Sequence, residues 1–280
     1  MTERSYSLDR RTALQTVAGA AALGLSGCLS ENEPGPSSTP SGTDTTDGTG
    51  DGPFQHVGVE GTTLVVELAA DSEVDQVNLI QPNGELWGTR EVAAGAEQVS
   101  FEFRAAYSPG EYDVLGVNEE ETVAEESLEI RPNLEIKQVG LYRNHPDKPW
   151  EEVYGEDADL LINGEAFVTV ENTGTGPETI NELTFTGDVP NPLEDPRGSG
   201  IYETEQVVVP AGAERDLFSG SLPFGAETPS GMGCSTDGNS GQFTVTLMTA
   251  VRTPSVTQTY DVQYSGSSDM TDCEVTITEA

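Results

Sequence analysis

Basic residues are scarce in this chain of 280 residues, where 12 lysines and arginines stand against 49 aspartates and glutamates. The formal net charge at pH 7 is −37, and the only lysines are Lys137 and Lys148. A surface of this sign repels the phosphate backbone, which excludes nucleic acid as a partner. The same charge would drive self-repulsion in dilute buffer, but at molar salt the Debye length falls to about 3 Å and the repulsion is screened.

Histidines are also few, and the sequence motifs of common enzyme active sites are absent. His56 and His145 are the only histidines, and the chain has no Gly-x-Ser-x-Gly, His-Glu-x-x-His or phosphate-binding Gly-x-x-x-x-Gly-Lys motif. Carboxylate pairs cannot be singled out against so acidic a background. We therefore expect no catalytic residues and no enzyme, with a solvated or turn role for His145. The alternative is a secreted hydrolase or another surface enzyme whose site these motifs do not describe.

No segment has a convincing helical stripe, and alternation with a period of two dominates instead. Apolar residues occupy every second position at Leu64, Val66 and Leu68, and again at Val99 and Phe101. This spacing predicts half-buried antiparallel strands. We predict an all-β fold of two immunoglobulin-like antiparallel β-sandwich domains after a disordered tether, at residues 54–131 and 132–280. Two finer expectations concern the first sandwich. Gln81–Gly84 is expected to be a hairpin turn, and Tyr112 a packed core residue rather than a tyrosine corner.

The second region has a strand, a Gly-rich turn and a further strand from Ala166 to Phe185, followed by a Pro/Ala-Gly turn at residues 209–214. This run resembles the cell-adhesion-related and other immunoglobulin-like modules of archaeal and bacterial surface proteins. The resemblance implies a fold only, since such modules host many functions. Residues 92–97, VAAGAE, echo residues 209–214, VPAGAE. Duplication of one module and independent use of the same turn both remain open.

The N-terminal segment indicates export. Arg10 and Arg11 precede a short apolar stretch, and Leu25, Ser26 and Gly27 precede Cys28. The stretch from Thr12 to Gly27 is shorter than the roughly 20 apolar residues that span a bilayer, so a cleaved signal at residues 1–27 is favoured over a membrane anchor.

These motifs resemble the twin-arginine export signal and the lipobox, although Asp9 stands where that signal usually has Ser or Thr. Together with the scarcity of lysine, they resemble secreted lipoproteins of halophilic archaea. The resemblance implies a lipid on Cys28 and a location on the outer face of the cell membrane, anchored by that lipid. Residues 28–53 are rich in Ser, Thr, Gly, Pro and Asp, which predicts a disordered linker.

Cys234 and Cys273 remain once Cys28 is assigned to the lipid. An even pair in an exported protein predicts a disulfide, and the spacing lacks the CxxC pattern of a metal site.

Two segments are the candidates for binding. Trp150 and Tyr154 lie in an acidic insertion, where they would form a stacking surface for a sugar or a peptide. Residues 237–241, DGNSG, carry oxygen-bearing side chains at alternate positions, as calcium-binding loops do, but the Glu that completes such a loop further along is missing. A turn rich in Gly and Asn explains the same residues as well. We expect no metal or other cofactor. We expect a non-catalytic binding or scaffold module at the cell surface, held at the membrane by its lipid, with a surface protein or a polysaccharide as its partner.

Overall fold

The computed structural model describes residues 52–103, 106–147, 164–202, 204–225, 232–251, 255–267 and 272–280. Within these residues the chain forms fifteen β-strands and one turn of 3-10 helix at Tyr142–Asn144, so the predicted all-β class is confirmed. Several sequence predictions lie outside the described residues: Arg10, Arg11, Leu25, Ser26, Gly27, Cys28, the linker up to residue 51, Trp150 and Tyr154.

Seven strands in the first part of the chain form two antiparallel sheets. One sheet has the order β1-β2-β5 and the other the order β4-β3-β6-β7. Alternate residues of each strand point into the core between the sheets; Leu64, Val77 and Val114 are fully buried. The bounds are Phe54–Glu60 (β1), Thr63–Leu68 (β2), Gln76–Ile80 (β3), Leu86–Glu91 (β4), Gln98–Glu102 (β5), Gly110–Asn118 (β6) and Glu121–Ile130 (β7).

Two local features position the strands of this sandwich. The predicted hairpin turn is confirmed, because the amide of Gly84 donates to the carbonyl of Gln81 at 2.8 Å and connects β3 to β4. Tyr112 on β6 is fully buried, and its hydroxyl donates to the carbonyl of Ser108 at 2.8 Å. The expectation of a merely packed tyrosine is therefore wrong, since this bond to the backbone four residues upstream is the mark of a tyrosine corner.

The strands that follow form a second pair of antiparallel sheets, with the orders β12-β9-β8 and β11-β10-β13-β14-β15. Phe185 on β10 and Phe243 on β13 are among the large side chains buried between them. The bounds are Leu134–Leu141 (β8), Ala166–Asn172 (β9), Glu178–Gly187 (β10), Val207–Val209 (β11), Glu214–Phe218 (β12), Asn239–Thr249 (β13), Val256–Ser265 (β14) and Glu274–Glu279 (β15).

The two sandwiches share one strand order. Replacing β1 to β7 by β8 to β14 converts both sheets of the first sandwich into those of the second, and β15 is an additional edge strand. The echoed sequences occupy the same place in both, since residues 92–97 connect β4 to β5 and residues 209–214 span the turn from the end of β11 to the start of β12. In each, the turn contains a glycine with positive φ, 80° at Gly95 and 67° at Gly212. The same turn at the same place fits duplication of one module, and it also fits two sandwiches of one topology that use this turn independently.

The predicted disulfide is confirmed between Cys234 and Cys273, whose Cα atoms lie 5.5 Å apart. It ties the residue just before β15 to the segment that leads into β13. The guanidinium of Arg143, next to β8, donates to the carbonyl of Cys273. The additional strand is thus held at its start by a covalent bond and by a hydrogen bond from the turn that follows β8.

Candidate functional site

An aromatic cluster lies on the outer face of the three-stranded sheet of the second sandwich. Val168 and Leu217 point into the core, so their neighbours Phe167 on β9 and Phe218 on β12, which are directly paired, point outward. Phe167 is nevertheless only 1% exposed. A Cβ added to Gly140 on β8 would lie 2.7 Å from the Phe167 ring, so glycine there leaves the space that the ring occupies.

The turn after β8 covers this cluster. The amide of Tyr142 donates to the carbonyl of Glu165 at 2.9 Å, and the amide of His145 donates to the carbonyl of Tyr142 at the same distance. The His145 ring lies 4.5 Å from the Phe167 ring between centroids, and the Tyr142 ring lies 4.7 Å from that of Phe218. These contacts fix the turn against the outer face of the sheet.

Both nitrogens of His145 are engaged. Nδ1 accepts a hydrogen bond from the amide of Asp147 at 3.1 Å, so the proton of the neutral ring resides on Nε2. Nε2 lies 3.2 Å from Oδ2 of Asp216, and the other oxygen of that carboxylate accepts from the hydroxyl of Thr169 at 2.8 Å. The side chain of His145 is only 4% exposed. Of the solvated or turn role expected for His145, the turn role is confirmed and the solvated one is wrong, because the ring is buried and anchors the turn.

This arrangement orders Thr169, Asp216 and His145 in a line, which invites comparison with a catalytic triad. A triad uses the carboxylate to orient one ring nitrogen and leaves the other free to take a proton from the nucleophile. Here the other nitrogen is occupied by the amide of Asp147. The geometry fits an anchor better than a general base.

The cluster defines where the predicted binding segment begins. Trp150 follows Asp147 by three residues, and Trp150 and Tyr154 themselves lie outside the described residues. At the other end, Glu165 meets Tyr142 through the backbone. The described residues that flank the segment on its two sides are therefore joined next to the aromatic cluster.

The remaining candidates have structural surroundings. Trp87 packs on the first core, with its ring 5.7 Å from that of Phe103 and 6.3 Å from that of Tyr112. His56 lies on β1 with its ring over Gly58, whose added Cβ would be 2.7 Å from Nε2. Burial raises the pKa of Glu126, and the nearby His56 opposes that shift.

The segment considered for calcium forms a turn and the start of a strand. The amide of Gly238 donates to the carbonyl of Ser235 at 3.0 Å, and β13 begins at Asn239. Asn239 and Ser240 are paired with β14, so their side chains alternate between the two faces of the sheet rather than converging. In the described part of the chain, no three histidine, cysteine, aspartate or glutamate side chains are grouped to hold a metal ion. Over the same residues, no helix is both long and apolar enough to cross a bilayer.

No protein-family model matches the chain, and no curated protein matches it. Among solved structures it is similar to a segment of two fibronectin type III domains from chicken tenascin, with 11% identity over 82% of this chain and 98% of that one, at a TM-score of 0.26. A DUF3823 family protein from Bacteroides ovatus is similar at 12% identity over 73% of this chain and 98% of that one, with a TM-score of 0.21.

A β-glucuronidase from glycoside hydrolase family 2 is also similar, at 17% identity and a TM-score of 0.22. The alignment covers 75% of this chain but 20% of the hydrolase, so this chain spans about a fifth of that protein's length. Scores this low carry no argument about function. The assignment of an immunoglobulin-like sandwich rests on the strand order, and that fold is compatible with a binding or scaffold module.

Sequence reasoning missed the members of the aromatic cluster. Phe167 stands between Ala166 and Val168, so apolar residues follow one another at positions that should alternate. A run of this kind predicts a strand that is covered on both faces. That signal could have marked β9 as covered on its outer side, but it gives neither Phe218 nor the contact with His145, which come from other parts of the chain.

Proposed function

We propose that this protein is exported, anchored by a lipid on Cys28 to the outer face of the membrane of a salt-adapted cell, and acts there as a non-catalytic binding or scaffold module. The observation that carries the proposal is the disulfide between Cys234 and Cys273. Structural disulfides persist in oxidising compartments and are rare in the cytosol. The disulfide thus supports export independently of Arg10, Arg11 and the lipobox.

The charge supports a saline exterior. Lys137 lies 3.1 Å from Glu171 and 3.8 Å from Glu135, and these side chains are between 36% and 51% exposed. Exposed pairs of this kind contribute little to stability, so they do not offset a net charge of −37. Screening by external salt would reduce the repulsion between the carboxylates.

The segment that carries Trp150 and Tyr154 is the proposed binding loop. Its support is the anchor at its base, where His145 is buried and both of its ring nitrogens are engaged. An anchor with no free nitrogen favours positioning over catalysis. We propose a surface protein or a surface polysaccharide as the partner of this loop.

Export and anchoring are tested by fractionating cells that express three variants of the full chain. Cys28→Ser should release the protein from the membrane fraction into the medium, because the lipid cannot be attached. Replacing both Arg10 and Arg11 by Lys should retain the chain inside the cell. A Cys28→Ser protein that stays in the membrane fraction contradicts lipid anchoring.

Binding is tested by cross-linking intact cells at native salt and identifying both proteins and glycans captured with the protein. The wild-type chain should enrich one partner class, and Trp150→Ala with Tyr154→Ala should lose it. Trp87→Phe is a control, since this ring packs on the first core. Equal enrichment by the loop variant and the wild type would contradict the assignment of the loop.

A further inference from the structure

The connection between the two sandwiches is very short. β7 ends at Ile130 and β8 begins at Leu134, which leaves Arg131, Pro132 and Asn133 between them. Domains within a chain move relative to one another by default, unless the contacts between them are extensive. Whether this joint bends therefore depends on what holds these three residues.

The turn after β9 is hydrogen-bonded to the backbone of the linker. The amides of Thr175 and Gly176 both donate to the carbonyl of Arg131, at 2.8 and 3.2 Å. The amide of Thr173 donates to the carbonyl of Asn133 at 2.9 Å. The linker backbone is thus hydrogen-bonded to the second sandwich along its length.

The same turn also makes hydrogen bonds with residues of the first sandwich. The hydroxyl of Thr175 donates to the carbonyl of Glu129 on β7 at 2.7 Å and accepts from the amide of Arg131 at 3.1 Å. The hydroxyl of Tyr107 donates to the carbonyl of Pro177 at 3.0 Å in a buried position, across 70 residues of sequence. The contact therefore includes side chains from both sandwiches.

An apolar residue also crosses the joint. Val251, which follows β13 of the second sandwich, is 8% exposed and packs in the core of the first. Its amide donates to Oε1 of Glu178 at 3.0 Å, and the same oxygen accepts from the amide of Thr179 at 2.8 Å. Glu178 is fully buried. The carboxylate thus holds the residue that the second sandwich inserts into the first.

The packing of this turn leaves no space for even one additional carbon. A Cβ added to Gly176 would lie 2.3 Å from the Tyr107 hydroxyl and 2.7 Å from Cγ2 of Ile130. A Cβ added to Gly174 would lie 2.3 Å from the carbonyl oxygen of Arg131. Glycine at these positions allows the turn to approach the first sandwich directly.

We propose that the turn Thr173–Gly176, with Tyr107 and Val251, is an interlock that makes the two sandwiches one rigid body, so that the protein is a strut of fixed geometry. Two domains on a flexible linker would present their surfaces independently. Two interlocked domains present one surface of constant shape. This inference does not depend on where the protein is anchored.

Pulsed electron paramagnetic resonance on the full chain at molar salt tests the interlock. Spin labels carried by unnatural amino acids at the exposed Thr89 and Thr257 report the distance between the sandwiches. Labels at Lys137 and Thr257 give a control distance within the second sandwich. The interlock predicts one distance, distributed no more widely than in the control pair. A distribution about twofold broader than the control, or two distances, would overturn it.

Variants identify the turn as the cause. Gly176→Ala should broaden the distance between the sandwiches, and Thr175→Val should broaden it by removing one hydroxyl at nearly constant volume. Gly88→Ala is the matched control, since its Cβ would meet only Phe101 at 3.6 Å, an ordinary contact. Circular dichroism checks that each variant folds, and Thr175→Val serves if Gly176→Ala does not fold. Distributions in Thr175→Val unchanged from wild type would contradict the role of the turn.

Discussion

Asn172 illustrates how a single polar residue can organise a core. Its amide nitrogen donates to the carbonyls of Gly176 at 2.8 Å and Val209 at 3.0 Å. Its amide oxygen accepts from the amides of Asn133 and Gly174, at 3.0 and 3.1 Å. The side chain is fully buried, and its bonds satisfy two buried backbone carbonyls and two part-buried backbone amides.

Asn172→Ala should therefore lower the free energy of unfolding by about 3 kcal/mol, because several buried backbone groups lose their partner at once. Asn172→Asp should cost at least as much, since a carboxylate cannot donate to the two carbonyls. Chemical denaturation at molar salt measures both. Asn181→Ala on the exposed part of β10 is the control, and an Asn172→Ala protein as stable as that control would contradict the assignment.

Tyr112 gives a prediction on pH dependence. Burial raises the pKa of its phenol from 10.0 to about 12. Between these values the unfolded chain releases the proton while the folded chain keeps it, so stability is fully present below pH 10 and is lost as the pH rises through about 12. The shift corresponds to about 3 kcal/mol.

Denaturation midpoints measured from pH 9 to 12 test this expectation, and Tyr112→Phe should reduce the slope above pH 10. Burial also raises the pKa of the Tyr260 phenol to about 12. Tyr260 therefore adds to the loss of stability at high pH and remains in the variant. A slope that is the same in Tyr112→Phe and wild type would show that the phenol is not the responsible group.

At the scale of the strands, the sequence was enough to predict the features that depend only on residues close together in the chain. The alternation of Leu64, Val66 and Leu68 in β2 and the turn at Gln81–Gly84 were sufficient, because side-chain period and turn chemistry are local. The cluster around His145 was not predicted. Phe167 and Phe218 are 51 positions apart in the sequence, and only the pairing of β9 with β12 brings them together.

β15 is the element that distinguishes the second sandwich from the first, and the disulfide holds its start. Replacing Cys234 and Cys273 by Ser should lower the free energy of unfolding by about 4 kcal/mol, the chain-entropy value for a loop closed over 39 residues. Thermal denaturation of the full chain measures the loss. Reduction of the wild-type protein should lower its melting temperature to that of the double variant, and a wild-type melting temperature that reductant leaves unchanged would contradict the stabilising role.

At the scale of the whole molecule, the charge of −37 should make folding depend on salt. Below about 0.5 M salt the Debye length exceeds ~4 Å and repulsion between surface carboxylates grows. We expect the circular dichroism spectrum to lose its β-sheet signal and the radius to increase as salt is removed. A spectrum unchanged in dilute buffer would contradict the salt adaptation.

The proposed location of the protein depends on one residue, Cys28, because the lipid anchor is attached there. Mass spectrometry of the mature protein extracted from membranes, with fragmentation of its N-terminal peptide, tests lipid anchoring and export together. The account predicts that the chain begins at Cys28, that this residue carries lipid, and that Cys234 and Cys273 are joined. A chain that retains residues 1–27 or an unmodified Cys28 would contradict a lipid-anchored surface protein.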